Sequence, residues 1–166
     1  MKILIREGSA AKNFEALIDL LNDYEDEIMF CSDDKHPDNL VEGHINELVK
    51  RAIKKGIDKF KVLKAACINP VKHYSLEVGL LKKGDPGDFI VVDNLNDFTI
   101  LQTYINGQKV SENQKSLIST TKVIQINNFN TSYKSAEEFK YPALLPTVTV
   151  KVIEALDGQL ITLSKD

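Results

Sequence analysis

"KILIREGSAAKNFEALIDLLNDYEDEIMFCSDD", residues 2–34, is the stretch whose reading decides the fold. Its opening "KILI" is a short β-branched run, a strand that stops at Arg6-Glu7-Gly8. Phe14, Leu17, Ile18 and Leu21 then recur at helical spacing and form one apolar face, with Ser9 placed to cap that helix. "EIMFC" follows as a second short apolar run without alternation, so both of its faces should be buried, as in a parallel sheet. Strand, helix and strand in that order make one βα unit feeding the next.

Outward from this stretch, Pro37 suits the first turn of a helix whose stripe is Val41, Ile45, Leu48, Val49, Ala52 and Ile53. Gly56 should end it as a left-handed cap. Asp58 caps the next helix, with Ile57 and Val62 at the two staple positions. Asn69-Pro70 should break that helix and start a short one through Tyr74.

The pattern changes after Gly79. "GDPGD", residues 84–88, is a turn cluster before a strand from Phe89 to Val92. "FTILQTYINGQKV" reads as a hairpin with Asn106-Gly107 at a type I′ turn. Residues 111–121 look like a linker or long loop, and "KVIQI" and "TVTVKVIEALDGQLITL" read as further strands, with a second hairpin turn at Asp157-Gly158. The fold class is thus α/β giving way to mostly β. The expected divisions are residues 1–78, 79–110 and 111–166.

The chain has 166 residues, a formal charge of -3, 43% hydrophobic and 27% charged residues, the profile of a soluble globular protein. No clustered basic surface argues for nucleic acid, and no apolar run approaches a membrane span. The N-terminus does not read as a signal peptide, because Arg6 and Glu7 interrupt its apolar stretch. Cys31 and Cys67 sit among apolar residues at a spacing that fits neither a zinc knuckle nor CxxC. They read as reduced core thiols of a cytoplasmic protein, with a nucleophilic Cys31 beside His36 as the alternative.

Asp33 and Asp34 directly follow the second apolar run, the position where a (β/α) barrel carries its chemistry. A carboxylate there could ligate a divalent metal and take a proton from water bound to it. The competing reading is an Asx-type cap for the helix at Pro37. His36, His44 and His73 include no H-x-H pair, so histidines alone cannot build a metal site. His44 reads as packed or hydrogen-bonded and His73 as a surface residue. Arg6 and Glu7 either form ion pairs or line the same mouth as Asp33.

Three pieces of the chain carry a resemblance: "ILIREGSAAKNFEALI", "MFCSDDKHPDNLVEGHINELVKRAIKKGID" and "VLKAACINPVKHYSLEVGLLKKGDPGDFIVVD" with the later "TYINGQKV". Together they resemble the bacterial-type adenine deaminases of the amidohydrolase superfamily. "FKYPALLPTVTVKVIEALDGQLIT" is similar to the start of the C-terminal region of those enzymes. Gly87 stands where the family usually has alanine, a small-for-small change. The resemblance implies the last two βα units of an amidohydrolase (β/α) barrel followed by a small β-rich domain. It also implies conversion of adenine and water to hypoxanthine and ammonia, with manganese or iron as cofactor. By the same resemblance Asp33 matches the proton-shuttling aspartate after the last barrel strand, which would make it a metal contact. The resemblance puts Asp34 and His36 in the same motif, to bind substrate or orient the loop, and makes Arg6, Glu7 and Ser9 further substrate candidates.

The family's other metal ligands have no counterpart here, and a full barrel takes roughly 250 residues. The chain is therefore expected to be part of a longer protein and inactive by itself. Unpaired strand edges suggest a homo-oligomer. The alternatives are a non-catalytic assembly module and a part of another amidohydrolase, such as a dihydroorotase-like enzyme.

Overall fold

A computed structural model describes residues 1–124 and 126–165. It divides into two compact units, residues 1–118 with 157–160, and residues 119–156 with 161–166. In the first unit, β1 (Ile3–Arg6) and β2 (Ile28–Cys31) pair in parallel, with Ile3 opposite Ile28 and Arg6 opposite Cys31. Ile28, Met29 and Phe30 are buried, in keeping with a strand covered on both faces.

The connection from β1 to β2 carries α1 (Phe14–Leu17), which continues as a 3-10 turn over Ile18–Asn22. Phe14, Ile18 and Leu21 are buried and supply the expected apolar face. The helix starts later than the sequence suggests, with Asn13 rather than Ser9 at its N-cap. Asn13 is held by β1: its Oδ1 accepts the Arg6 N–H at 2.8 Å and its amide donates to Leu4 O at 3.3 Å. Ser9 is engaged elsewhere.

The single helix expected from Pro37 to Gly56 is two, α2 (Pro37–Glu42) and α3 (Ile45–Lys54). Gly43 is extended and Asn46 Oδ1 accepts the His44 N–H at 2.8 Å, which turns the chain between them. Val41 consequently leaves the stripe and is exposed, whereas Leu48, Val49 and Ala52 reach the core. Gly56 adopts the left-handed conformation, φ 85°. Asp58 caps α4 (Lys59–Leu63) by accepting from Phe60 N and Lys61 N, and the staple pair Ile57 and Val62 is buried.

Asn69-Pro70 does not break the next helix. A π-turn over Lys64–Ile68 leads directly into α5 (Asn69–Tyr74), where Pro70 occupies the first turn. Asn69 is buried, and its amide donates to Glu25 O at 2.7 Å and Ile28 O at 2.8 Å. The helix is thereby anchored to the start of β2.

β3 (Phe89–Val92), β4 (Ile100–Ile105), β5 (Gln108–Glu112) and β6 (Lys115–Ser116) form an antiparallel sheet in chain order. Asn106 and Gly107 have φ of 50° and 75°, as a type I′ turn requires. A Cβ on Gly87 would lie 3.0 Å from the Gly107 backbone, so glycine fits that turn closely. "GDPGD" is a plain turn whose Asp85 accepts Leu80 N and whose Asp88 accepts Gly79 N and Asn106 N. Residues 111–116 belong to the β5–β6 hairpin rather than to a linker or long loop.

In the second unit, β7 (Val152–Ala155) and β8 (Thr162–Lys165) form an antiparallel pair; the expected turn residues Asp157-Gly158, which lie between them in sequence, belong to the first unit. The strand expected at "KVIQI" is absent at Lys122–Ile124, and its Gln125 lies outside the described residues.

Candidate active site at the ends of β1 and β2

Two strands running the same way deliver their C-terminal ends to one place. Arg6 is the last residue of β1; Asp33 lies just past the end of β2, and their side chains meet with Arg6 Nη1 3.1 Å from Asp33 Oδ2. Asp33 has φ 50°, a left-handed conformation that aspartate adopts more readily than most non-glycine residues. Its carboxylate keeps 38% of its side-chain surface exposed, so solvent or a ligand can reach it. Arg6 Nε is buried without a hydrogen-bond partner among the described residues.

Asp34, next in the chain, turns to the β1 loop. Its Oδ1 accepts the Ser9 N–H at 3.1 Å and its Oδ2 accepts the Ser9 hydroxyl at 2.7 Å. Those bonds from Ser9 hold its carboxyl below the usual carboxylate range. Neither aspartate caps α2, which has His36 at its N-cap and no side-chain cap hydrogen bond.

Glu7 does not join Asp33. Its Oε2 lies 2.8 Å from Arg51 Nη1, and its Oε1 accepts the Phe14 N–H at 3.3 Å. Arg51 also reaches Glu15 at 2.8 Å and stacks over the Phe14 ring at 4.0 Å. Burial pulls the Arg51 guanidinium down, and the hydrogen bonds it donates to Glu15 and Glu7 outweigh this and raise the value. The arrangement ties α3 to the β1–α1 connection, a structural role.

Ser32 Oγ and His44 Nε2 share a 2.8 Å hydrogen bond that closes the loop after β2. Burial, then nearby Lys35, pushes the His44 imidazole below its ordinary value. His73 is exposed, packed edge-on against Tyr74. Burial pushes the Cys31 thiol up, outweighing a hydrogen bond from the Asp33 backbone that pulls it down, which opposes a nucleophilic thiolate.

Cys67 corrects the expectation of two core thiols: it is exposed. It stands at an apolar groove of about 240 Å³ whose lining includes His44, Leu63, Phe98 and Ile100. Those neighbours desolvate the thiol and raise its pKa even so. The groove does not include Asp33 or Arg6.

Among the described residues no three His, Cys, Asp or Glu side chains cluster as a metal site. Asp33, facing an arginine, is one carboxylate where a metal centre needs several ligands, so the residues present do not fit a complete centre. Nor is any described helix long and apolar enough to cross a membrane.

Sequence reasoning missed Asn13, Gly8 and Arg51. Gly8 is buried, and a Cβ there would fall 2.3 Å from Asp34 Oδ1 and 3.2 Å from Asp33 Cβ. Gly8 and Asn13 both lie inside "REGSAAKN", but only contacts across the two loops reveal what they do.

The family model described as "Amidohydrolase family" matches residues 3–110. This chain belongs to the amidohydrolase family. Among its relatives are the adenine deaminase of Sulfurovum sp. (strain NBC37-1), 54% identical over 162 residues, and that of Borreliella burgdorferi, 52% identical over 166 residues. Each alignment covers 98% of this chain and 30% of the relative, so this amidohydrolase chain spans about a third of their length. The beta-aspartyl dipeptidase of Fervidobacterium islandicum AW-1 matches in fold, with TM-score 0.55, 20% identity, 73% of this chain and 36% of that chain.

Proposed function

We propose that this chain supplies the last two βα units of an amidohydrolase barrel, and with them the proton-handling carboxylate of an adenine deaminase. The observation that carries the reading is Asp33, exposed beyond the end of a parallel strand and facing Arg6 at the end of its neighbour. That is where (β/α) barrels place their reacting groups. The Sulfurovum and Borreliella relatives support adenine as the substrate.

In this reading water adds to the ring carbon that bears the amino group. Asp33 takes a proton from the water and returns one to the departing nitrogen. The C–N bond breaks, ammonia leaves and hypoxanthine remains. Arg6 orients the carboxylate and presents its guanidinium to the polar edge of the purine. His36, at the start of α2, is a further substrate contact. A divalent ion, manganese or iron, would draw one carboxylate from this chain and its other ligands from elsewhere; both proton transfers fall to Asp33. The free thiols of Cys31 and Cys67 favour a cytoplasmic setting.

The isolated chain should convert no adenine, with or without added Mn²⁺; hypoxanthine formed by the purified chain would contradict this. The positive test is a chimera in which this chain replaces its aligned 162-residue stretch in the Sulfurovum enzyme. An active chimera supports the reading, and its loss of activity on Asp33→Asn assigns the residue.

Self-association has its own support. Among the described residues β1 and β2 pair only with each other, leaving two strand edges open. A homo-oligomer is therefore expected, and a monodisperse monomer in light scattering would count against it.

A further inference from the structure

Asp34 lies beside the residue proposed to carry the chemistry, and each of its carboxylate oxygens already accepts a hydrogen bond. Both oxygens face Ser9, one accepting the backbone N–H and the other the hydroxyl. Gly8 brings the two loops this close: its missing side chain leaves the space that Asp34 Oδ1 and Asp33 Cβ occupy. The contact joins positions 25 residues apart, one after β1 and one after β2. Asp33 sits between the end of β2 and this fastening, with its backbone in the left-handed region.

We propose that Asp34 is a positioning residue: it latches the loop after β1 to the loop after β2 and so holds Asp33 against Arg6. Ser9 is the catch, and Gly8 is the clearance that lets it close. This rests on the reading of Asp33 as the proton-handling group, and it assigns Asp34 and Ser9 to the loop rather than to adenine. A displaced carboxylate lowers the rate of the chemical step, because catalysis falls steeply when a reacting group moves by about an ångström.

The test uses the Sulfurovum chimera. Asp34→Ala should lower kcat about 10- to 100-fold and leave KM within about twofold. Ser9→Ala should lower kcat less, because its backbone N–H still reaches Asp34. On the Asp34→Ala background it should add nothing, as residues acting through one contact do. Ser9→Thr, which keeps the hydroxyl, should restore the rate. Gly8→Ala, which keeps both latch side chains but places a Cβ against Asp34 Oδ1, should reproduce the Asp34→Ala phenotype.

A raised KM at unchanged kcat would make Asp34 a substrate contact and overturn the latch. Fully additive effects of Ser9→Ala and Asp34→Ala would also overturn it. If Asp34→Ala prevents folding, Ser9→Ala, Ser9→Thr and Gly8→Ala carry the test.

A second readout separates the latch from the deaminase reading. In the 166-residue chain, Ser9→Ala and Gly8→Ala should each shift the backbone amide resonances of Asp33 and Asp34. Unmoved amides would overturn the latch whatever the chimera's activity. An active chimera with Asp33→Asn would end the deaminase reading while those shifts still report the latch.

Discussion

Phe14 and Phe129 are the same side chain with opposite fates: Phe14 is 0% exposed and Phe129 is 84% exposed. Phe14 lies 6.5 Å from the Phe30 ring, under the Arg51 guanidinium, and its backbone N–H is bound by Glu7. Phe129 belongs to no strand or helix. The contrast runs through both regions. Ile5, Ile18, Leu21 and Ile28 are fully buried, whereas Val123, Ile124 and Ile126 are exposed and no described residue of 119–156 is buried. Apolar composition is common to both; only residues 1–118 have the strand–helix–strand closure that turns it into a core. The proposed site stands on the region with the core, so its geometry has something rigid beneath it.

The sharpest way to break this contrast is to truncate both rings. Phe14→Ala should cost about 3–5 kcal/mol and Phe129→Ala less than about 0.5 kcal/mol, read from denaturant unfolding followed by circular dichroism. Equal losses would mean that the two regions are built alike. Asn69→Ala comes next, at about 1–3 kcal/mol, because it leaves the Glu25 and Ile28 carbonyls unpaired where α5 meets β2. No loss would show that this anchor is idle. Asp58→Ala should remove about 1 kcal/mol by leaving Phe60 N and Lys61 N unbound at the start of α4.

The smallest effect is acid sensitivity of the ion pairs around the first region. Lys64 holds the Glu25 and Asp26 carboxyls below their ordinary values, and Lys55 followed by Arg51 does the same for Glu15. A lowered folded-state pKa gives stability that is present above the unfolded value and lost as pH falls through the folded one. Thermal midpoints should therefore hold steady from pH 7 to about 5 and decline below about 4. A midpoint that rises on acidification through that window would reverse the sign.

Local pattern was enough for β1, β2 and the buried faces of their neighbours, because burial on both faces leaves an unbroken apolar run such as "IMFC". It was enough for the Asp58 cap and for the Asn106-Gly107 turn, whose chemistry lies within a few residues. It failed where a distant partner decides. Ser9 looks like a cap until Asp34 claims its hydroxyl, and the helix waits for Asn13. Gly43 splits a stripe that reads as continuous, and Asn69-Pro70 rides through on a π-turn because Asn69 finds carbonyls on the β2 side. At the site, Asp33 was legible as a residue after a strand, but its pairing with Arg6 needed the parallel register. Glu7 could not be separated from it in advance, since its partner Arg51 lies 44 residues away.

The most direct measurement is the turnover of adenine by the Sulfurovum chimera carrying Asp33→Asn. Proton handling by Asp33 requires kcat to fall by at least about 100-fold in a folded protein. Hypoxanthine formed at an undiminished rate would contradict the account.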